Sequence, residues 1–474
     1  MKNLKLSGIA ARLTAFAILS LFVLSCSKEN IIIVPGKSDY NNITSFSFDK
    51  KDNPSLTEDC TSYMSGNILY ISVPPGASLS SLKPAIAVSP NATIKINGTA
   101  VTGSLPTFDF TNIVKVVVTS ESGKNREYKI LAQTGRKELD RMVYAFMDKF
   151  SIPGISFAIS KNEQIVYKTG AGFAILVDDT RTKPNHLFRL ASISKQFTTL
   201  CIMKLLEQGK LTVESTVFGA GGLLESEFPN NITARAAKVT VRNLLEHNSG
   251  WTSNPDPMFT TSFKGQTLDQ RITYVLNSTQ NEPGSAYSYF NMGFGILGKI
   301  IEKLSGKSYE QYLKEVMALA GVTNVHVGGD QTQRRPDEVV YYSQDGTNGY
   351  GNEMQVIAAA GGVIASTEEM LKLLFHIDGL TSVPDIISPA TRTLMLTPSA
   401  AYNRYALGWR TNHSFFPGSY YHGGNLAGTG VIWVMGQGVN AVVLCNSRSY
   451  KTGFDDELYA LIKDLISTAT AMNF

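Results

Sequence analysis

From residue 136 onward, strand-like runs sit at both ends of the chain and helical runs fill the interval, an order that admits few folds. Residues 155–160 and 164–169 have strand texture, and residues 405–410, 431–434 and 441–444 supply three more strands before a last helix near 455–466. Leu139, Met142, Val143, Phe146, Met147 and Phe150 share one stripe of a helix over 136–150, as expected of a helix packed on a sheet. Strands from both chain ends with helices between them predict an α+β domain: an antiparallel sheet flanked by helices, with a helical region beside it. The chemistry is expected at the junction of the two.

The first 135 residues read differently. Short strands are predicted at 44–48, 68–73, 94–96, 114–118 and 128–131, with Asn97-Gly98 and Ser122-Gly123 where hairpin turns belong. A small all-β sandwich over 41–133 follows. It carries no catalytic constellation, so a spacer is the simplest role and glycan binding the alternative. Thr134-Gly135 form a short joint to the domain at 136–474, and the polar residues 26–40 read as a flexible tether. Residues 1–25 read as a signal peptide, because Lys2, Lys5 and Arg12 precede an apolar run over 13–24 that is too short to span a bilayer. Val23-Leu24-Ser25-Cys26 has the form of a bacterial lipobox, predicting cleavage before Cys26 and lipid on its sulfur. The alternative is an ordinary signal peptide with an incidental cysteine. Two or three acyl chains would anchor the protein firmly in a membrane, in the bacterial cell envelope at the periplasmic or outer surface.

Loss of residues 1–25 removes three positive charges and no negative ones, so the formal charge falls from +4 to +1. Nucleic acid is therefore not an expected partner. Cys60, Cys201 and Cys445 remain, odd in number and far apart, which suits buried or free thiols better than disulfides. The six histidines show no metal-ligand spacing, and no metal or cofactor is implied.

Three segments carry chemistry. Ser192 and Lys195 stand three residues apart, ahead of apolar residues at helical spacing (Phe197, Leu200, Cys201, Met203, Leu205, Leu206) and a stop at Gly209. On one helical turn such a pair are neighbours, so an amine can reach a hydroxyl. The helix N-terminus would favour developing negative charge and, with burial, lower the lysine pKa. Tyr289 lies two residues before Asn291, just ahead of an apolar helix over 292–304. A tyrosine there can exchange protons if cationic neighbours lower its pKa from roughly 10. In Tyr420-Tyr421-His422-Gly423-Gly424-Asn425, two glycines would let a strand backbone approach a substrate closely.

Taken in this order, the three segments resemble the signature of the serine beta-lactamase-like hydrolases, nearest to the class C beta-lactamase and D-alanyl-D-alanine carboxypeptidase branch. That group carries Ser-x-x-Lys, Tyr-x-Asn and then Lys-Thr-Gly or His-x-Gly. Pro153-Gly154, the run from Leu244 to Gly250 and the run from Ala360 to Thr367 are similar to the same family. The β module resembles immunoglobulin- or cadherin-like modules on lipoproteins of the Bacteroidetes. The resemblance implies Ser192 as nucleophile of an acyl-enzyme, Lys195 as its proton partner, Tyr289 as proton relay and Asn291 as a substrate-orienting amide. It further implies His422, Gly423 and Gly424 as the substrate-binding strand, and the backbone N–H groups of Ser192 and Asn425 as an oxyanion hole. Lysine and tyrosine both remain candidates for the first general base.

Two positions depart from the pattern. His422 stands where a permanently charged lysine is commoner, and Gly423 replaces the usual threonine hydroxyl. Both changes weaken the case for an efficient beta-lactamase. Lys451-Thr452-Gly453 spells the missing motif, but it follows the last strand and precedes the terminal helix, so it is expected to be incidental. Gly293-Phe294-Gly295-Ile296-Leu297-Gly298 matches a dinucleotide fingerprint without a preceding strand, and packing glycines are the better account. His247 beside Ser249-Gly250 is expected to cap a helix end. The functional expectation is a serine hydrolase acting on a small-molecule, peptide or peptidoglycan substrate, first a D-Ala-D-Ala-type peptidase or amidase. The alternatives are an esterase or beta-lactamase of the same fold, and a non-catalytic penicillin-recognising or cell-wall-binding lipoprotein.

Overall fold

The computed structural model describes residues 36–230 and 232–474. The expected signal peptide, Cys26 and the first ten residues of the tether lie outside the described residues.

Residues 43–134 form two facing β-sheets. Ile43–Phe48 is the centre of a three-stranded sheet, between Cys60–Thr61 and Ala85–Val88. The second sheet has six strands, in which Ile68–Val73 runs parallel to Asn125–Thr134. Period-two alternation buries Val114, Val116 and Val118 while Lys115 faces out. Phe46, Phe48 and Phe110 meet edge to face in the core, with Phe48 and Phe110 centroids 4.7 Å apart. At the hairpin before Thr99, Asn97 and Gly98 both have positive φ (47° and 83°), as a type I′ turn requires.

The strand Asn125–Thr134 passes through Gly135 straight into the helix Lys137–Phe150. A Cβ on Gly135 would lie 2.2 Å from the Asp140 carboxylate and 2.7 Å from the Tyr167 hydroxyl, so only glycine fits the joint. Asp140 accepts from Ser72 of the β module (2.6 Å) and from Tyr167 of the second domain (2.7 Å), pinning the two units together.

The second domain is built on a seven-stranded sheet. Its order is Thr180–Arg181, Gln164–Ile175, Gly154–Lys161, Val439–Cys445, Thr429–Met435, Tyr420–Leu426 and Arg410–Thr411. Strands from the two chain ends lie side by side and antiparallel, Ile155 opposite Cys445 and Lys161 opposite Val439. Helices Lys137–Phe150 and Phe454–Ala471 cover one face, their rings interlocking where Phe150 meets Phe454 at 5.2 Å. The other face packs on the helical region, whose centre is the helix Ser194–Glu207, buried on nearly every side. This is an α+β fold of the beta-lactamase/transpeptidase type preceded by a small β module.

The expected strand over 405–410 does not form as such. Gly408 turns the chain at φ 78°, where a Cβ would lie 2.2 Å from the Thr199 hydroxyl, and only Arg410–Thr411 joins the sheet. The glycines at 293, 295 and 298 lie inside the helix Asn291–Ser305 and serve packing. A Cβ on Gly295 would meet Met258 at 2.3 Å, and one on Gly298 would meet Ala359 at 2.8 Å.

Candidate active site

Ser192 sits in a tight turn, Ala191–Ile193, that leads directly into the helix Ser194–Glu207. It is therefore one step ahead of the α-helix. Ala191 adopts φ 45°, a left-handed conformation that costs an L-residue about 1–2 kcal/mol. The strand Tyr420–Leu426 holds this turn: a Cβ on Gly424 would lie 2.6 Å from the Leu190 carbonyl oxygen and 2.9 Å from Ala191 Cβ. The glycine thus brings the strand backbone, with Asn425 next along it, against the serine turn. The rings of Phe197, Trp433 and Trp409 stack in series (5.9 and 5.2 Å) and tie the serine helix to the sheet.

Lys195 is fully buried. Its ammonium nitrogen lies 2.8 Å from Asn291 Oδ1, 2.7 Å from the Ala360 carbonyl oxygen and 3.4 Å from Ser192 Oγ. A neutral amine has two N–H donors for the two short contacts and a lone pair left for the serine. Burial pushes the Lys195 pKa down to about 7, with Asp256 opposing and Arg410 assisting. Asn291 donates to Asp256 Oδ2 at 2.7 Å, which fixes its amide so that the oxygen faces the lysine.

Tyr289 lines the same cavity as Ser192, and its ring centroid lies 4.9 Å from the Lys195 nitrogen. The expectation that cationic neighbours lower its pKa is overturned. Burial raises it above the ordinary phenol value, outweighing the pull of Ser192 and Arg410. Lys195, not Tyr289, is the group poised to titrate near neutral pH.

His422 is buried, and its hydrogen bonds follow from one starting point. The Phe290 N–H donates to His247 Nδ1 (3.0 Å), so His247 carries its proton on Nε2 and donates to the Tyr405 hydroxyl (3.1 Å). That hydroxyl then donates to His422 Nε2 (3.2 Å), and His422 Nδ1 donates to the Gly423 carbonyl (2.6 Å). Burial drives both histidines well below their usual pKa, so both rings are neutral. The expected capping role of His247 is corrected accordingly: its ring serves Phe290 and Tyr405 rather than helix carbonyls.

Two residues that sequence reasoning missed occupy the places left by the motif's departures. A Cβ on Gly423 would lie 2.7 Å from the Tyr459 hydroxyl, so a phenol from the terminal helix stands where a threonine side chain would be. Arg410, on the edge strand beside His422's own, is largely buried among the phenols of Tyr459, Tyr405, Tyr287 and Tyr289, and no carboxylate among the described residues pairs with it. It faces the same cavity of about 540 Å³ as Ser192, Tyr289, Asn291, His422 and Asn425. Neither residue announces itself, because both lie outside the three motifs and reach the cavity only through sheet order and helix packing. Lys451-Thr452-Gly453 lies elsewhere: Gly453 caps the terminal helix, and Lys451 donates to the Lys149 carbonyl.

A hydroxyl, a depressed lysine amine, a phenol and a carboxamide in one crevice define the serine-hydrolase class of acyl-transfer sites. The chain belongs to the Beta-lactamase family, whose profile matches residues 139–464. Residues 43–131 match a second profile, described as SGBP, N-terminal. Protein flp of Staphylococcus aureus (strain NCTC 8325 / PS 47) is 24% identical over 293 residues, 60% of this chain and 57% of that protein. The chain thus spans little more than half the length of that relative. Penicillin-binding protein 4* of Bacillus subtilis (strain 168) is 27% identical over 311 residues, 64% of each chain. Among solved structures, the octameric penicillin-binding protein homologue from Pyrococcus abyssi superposes with a TM-score of 0.58 at 25% identity, covering 71% of this chain and 77% of that one.

Proposed function

We propose that this protein is a peptidase or amidase that cleaves D-Ala-D-Ala-type amides through an acyl-enzyme on Ser192. The observation that carries the reading is the buried Lys195 amine, held by two carbonyl-type oxygens with its lone pair free for Ser192. The Ser192 proton passes to Lys195 as Oγ attacks the amide carbonyl carbon. The negative oxygen that develops is met by the N–H groups of Ser192 and Asn425. Tyr289, kept protonated by burial, gives its proton to the departing nitrogen and regains one from the Lys195 ammonium. Water then attacks the ester, and the same proton path runs in reverse.

Arg410 selects the substrate. With His422 neutral and the cavity's other guanidinium, Arg448, paired with Asp455 at 3.1 Å, Arg410 is the permanent cation there with no carboxylate partner among the described residues, and a planar guanidinium suits a carboxylate. A peptide ending in a free carboxylate, and a penicillin with its carboxylate beside a strained amide, both fit that charge. Two of the relatives are named for penicillin binding.

An N-acyl-D-Ala-D-Ala peptide, nitrocefin and a p-nitrophenyl ester assayed side by side test this. The peptide is expected to give the highest kcat/KM, and Arg410→Ala to lower it roughly 30- to 150-fold, the effect of a lost charged hydrogen bond of about 2–3 kcal/mol. An ester that outranks the peptide and is indifferent to Arg410→Ala would instead support the esterase reading.

A further inference from the structure

Behind Arg410 lies a second compartment of about 520 Å³, lined by Tyr402, Arg404, His413, Phe415, Tyr421 and Tyr459, with Asp456 at its edge. Arg410 and Tyr459 line both this compartment and the catalytic cavity, so the two adjoin at these side chains. The compartment is built from rings. Tyr402 stacks by one face on Tyr287 at 4.4 Å, and His413 stacks on Tyr459 at 5.6 Å. Phe415 stands edge-on to His413 at 5.1 Å. Tyr402 and Phe415 are nevertheless 37% and 40% exposed.

We propose that this compartment is a side-chain subsite for an aromatic residue carried on the carboxylate-bearing half of the substrate, with the carboxylate on Arg410 and the ring beside Tyr402 and Phe415. The inference rests on the reading of the Arg410 cavity as a carboxylate site. Aromatic groups prefer offset or edge contact with other rings, and the walls offer both. Arg404 and Asp456 make the rest of the lining polar. A methyl group such as that of alanine would leave the ring faces wet, whereas a phenyl ring would displace water from them. The site thereby favours an aromatic C-terminal D-residue over D-alanine.

Calorimetric titration of the whole protein with N-acetyl-D-phenylalanine and N-acetyl-D-alanine tests this without requiring turnover. The phenylalanine derivative is expected to bind at least tenfold more tightly. In the Tyr402→Ala/Phe415→Ala double variant the ratio is expected to fall below threefold, with a thermal melt confirming the fold. Equal binding, binding of neither compound, or a preference that survives the double substitution would each overturn the inference. Tight, selective binding without cleavage of D-peptides would sink the peptidase reading and leave the subsite standing. Cleavage without selectivity would do the opposite.

Discussion

At the scale of single residues, the Lys195 amine decides when Ser192 is reactive. Its folded pKa of about 7 lies below the ordinary lysine value because burial removes water from the ammonium. The base form is the deprotonated one, so acylation is expected to rise with pH through about 7 and then level off. Second-order labelling by a fluorophosphonate, followed from about pH 5 to 9, measures this. A limb near 10 would mean that a solvated lysine or Tyr289 governs the step. Lys195→Ala is expected to slow labelling by about 10²- to 10⁴-fold, the span typical of a lost general base. The four side chains that meet here were legible as two motifs, because each pair has a fixed spacing within its own turn or helix start. Arg410, Tyr459 and Asp256 were not. No local periodicity marks them, and each reaches the site across a sheet edge, a helix face or a loop.

At the scale of elements, the strand Tyr420–Leu426 aligns the site. Gly424 admits the serine turn, Gly423 admits Tyr459, and His422 is locked by a one-way hydrogen-bond chain that begins at Phe290 and ends at Gly423. Tyr405→Phe cuts that chain in the middle and leaves two buried nitrogens unpaired. The variant is expected to lose about 1–3 kcal/mol of stability in urea unfolding, the cost of stranding a buried polar group. Unchanged stability would mean that the chain is not continuous. The sequence shows His247 and His422 as separate residues 175 positions apart, and their connection depends on Tyr405, which the turn at Gly408 places between them. The strand expected over 405–410 failed for the same reason. Its apolar run is buried by a turn packed on Thr199, and burial alone does not distinguish the two.

At the scale of the whole molecule, the β module and the second domain meet through a buried carboxylate. Burial, outweighing the opposing pull of the hydrogen bonds from Ser72 and Tyr167, raises Asp140 to about 6. A carboxyl whose folded pKa exceeds its unfolded value stabilises the fold in its protonated form. That contribution is complete below about 3.9 and is lost as pH rises through about 6. Between about pH 4 and 6, wild-type protein is therefore expected to lose roughly 2–3 kcal/mol relative to Asp140→Asn, which stays neutral throughout. Melting curves of the two across that window measure it, and parallel pH profiles would contradict it. The two-part organisation was readable from the switch between period-two runs and the helical stripe at Leu139. The tightness of the joint was not, because Gly135 gives no sign in sequence that a carboxylate lies against it.

Ser192 is expected to form a covalent bond to its substrate's acyl group, and intact-protein mass spectrometry after incubation with a penicillin (acyl adduct) or a fluorophosphonate (phosphonyl adduct) reads such a bond directly. One adduct per chain is expected, mapping to the peptide that contains Ser192 and absent from Ser192→Ala. An adduct on another residue, or one that persists in the variant, would contradict it.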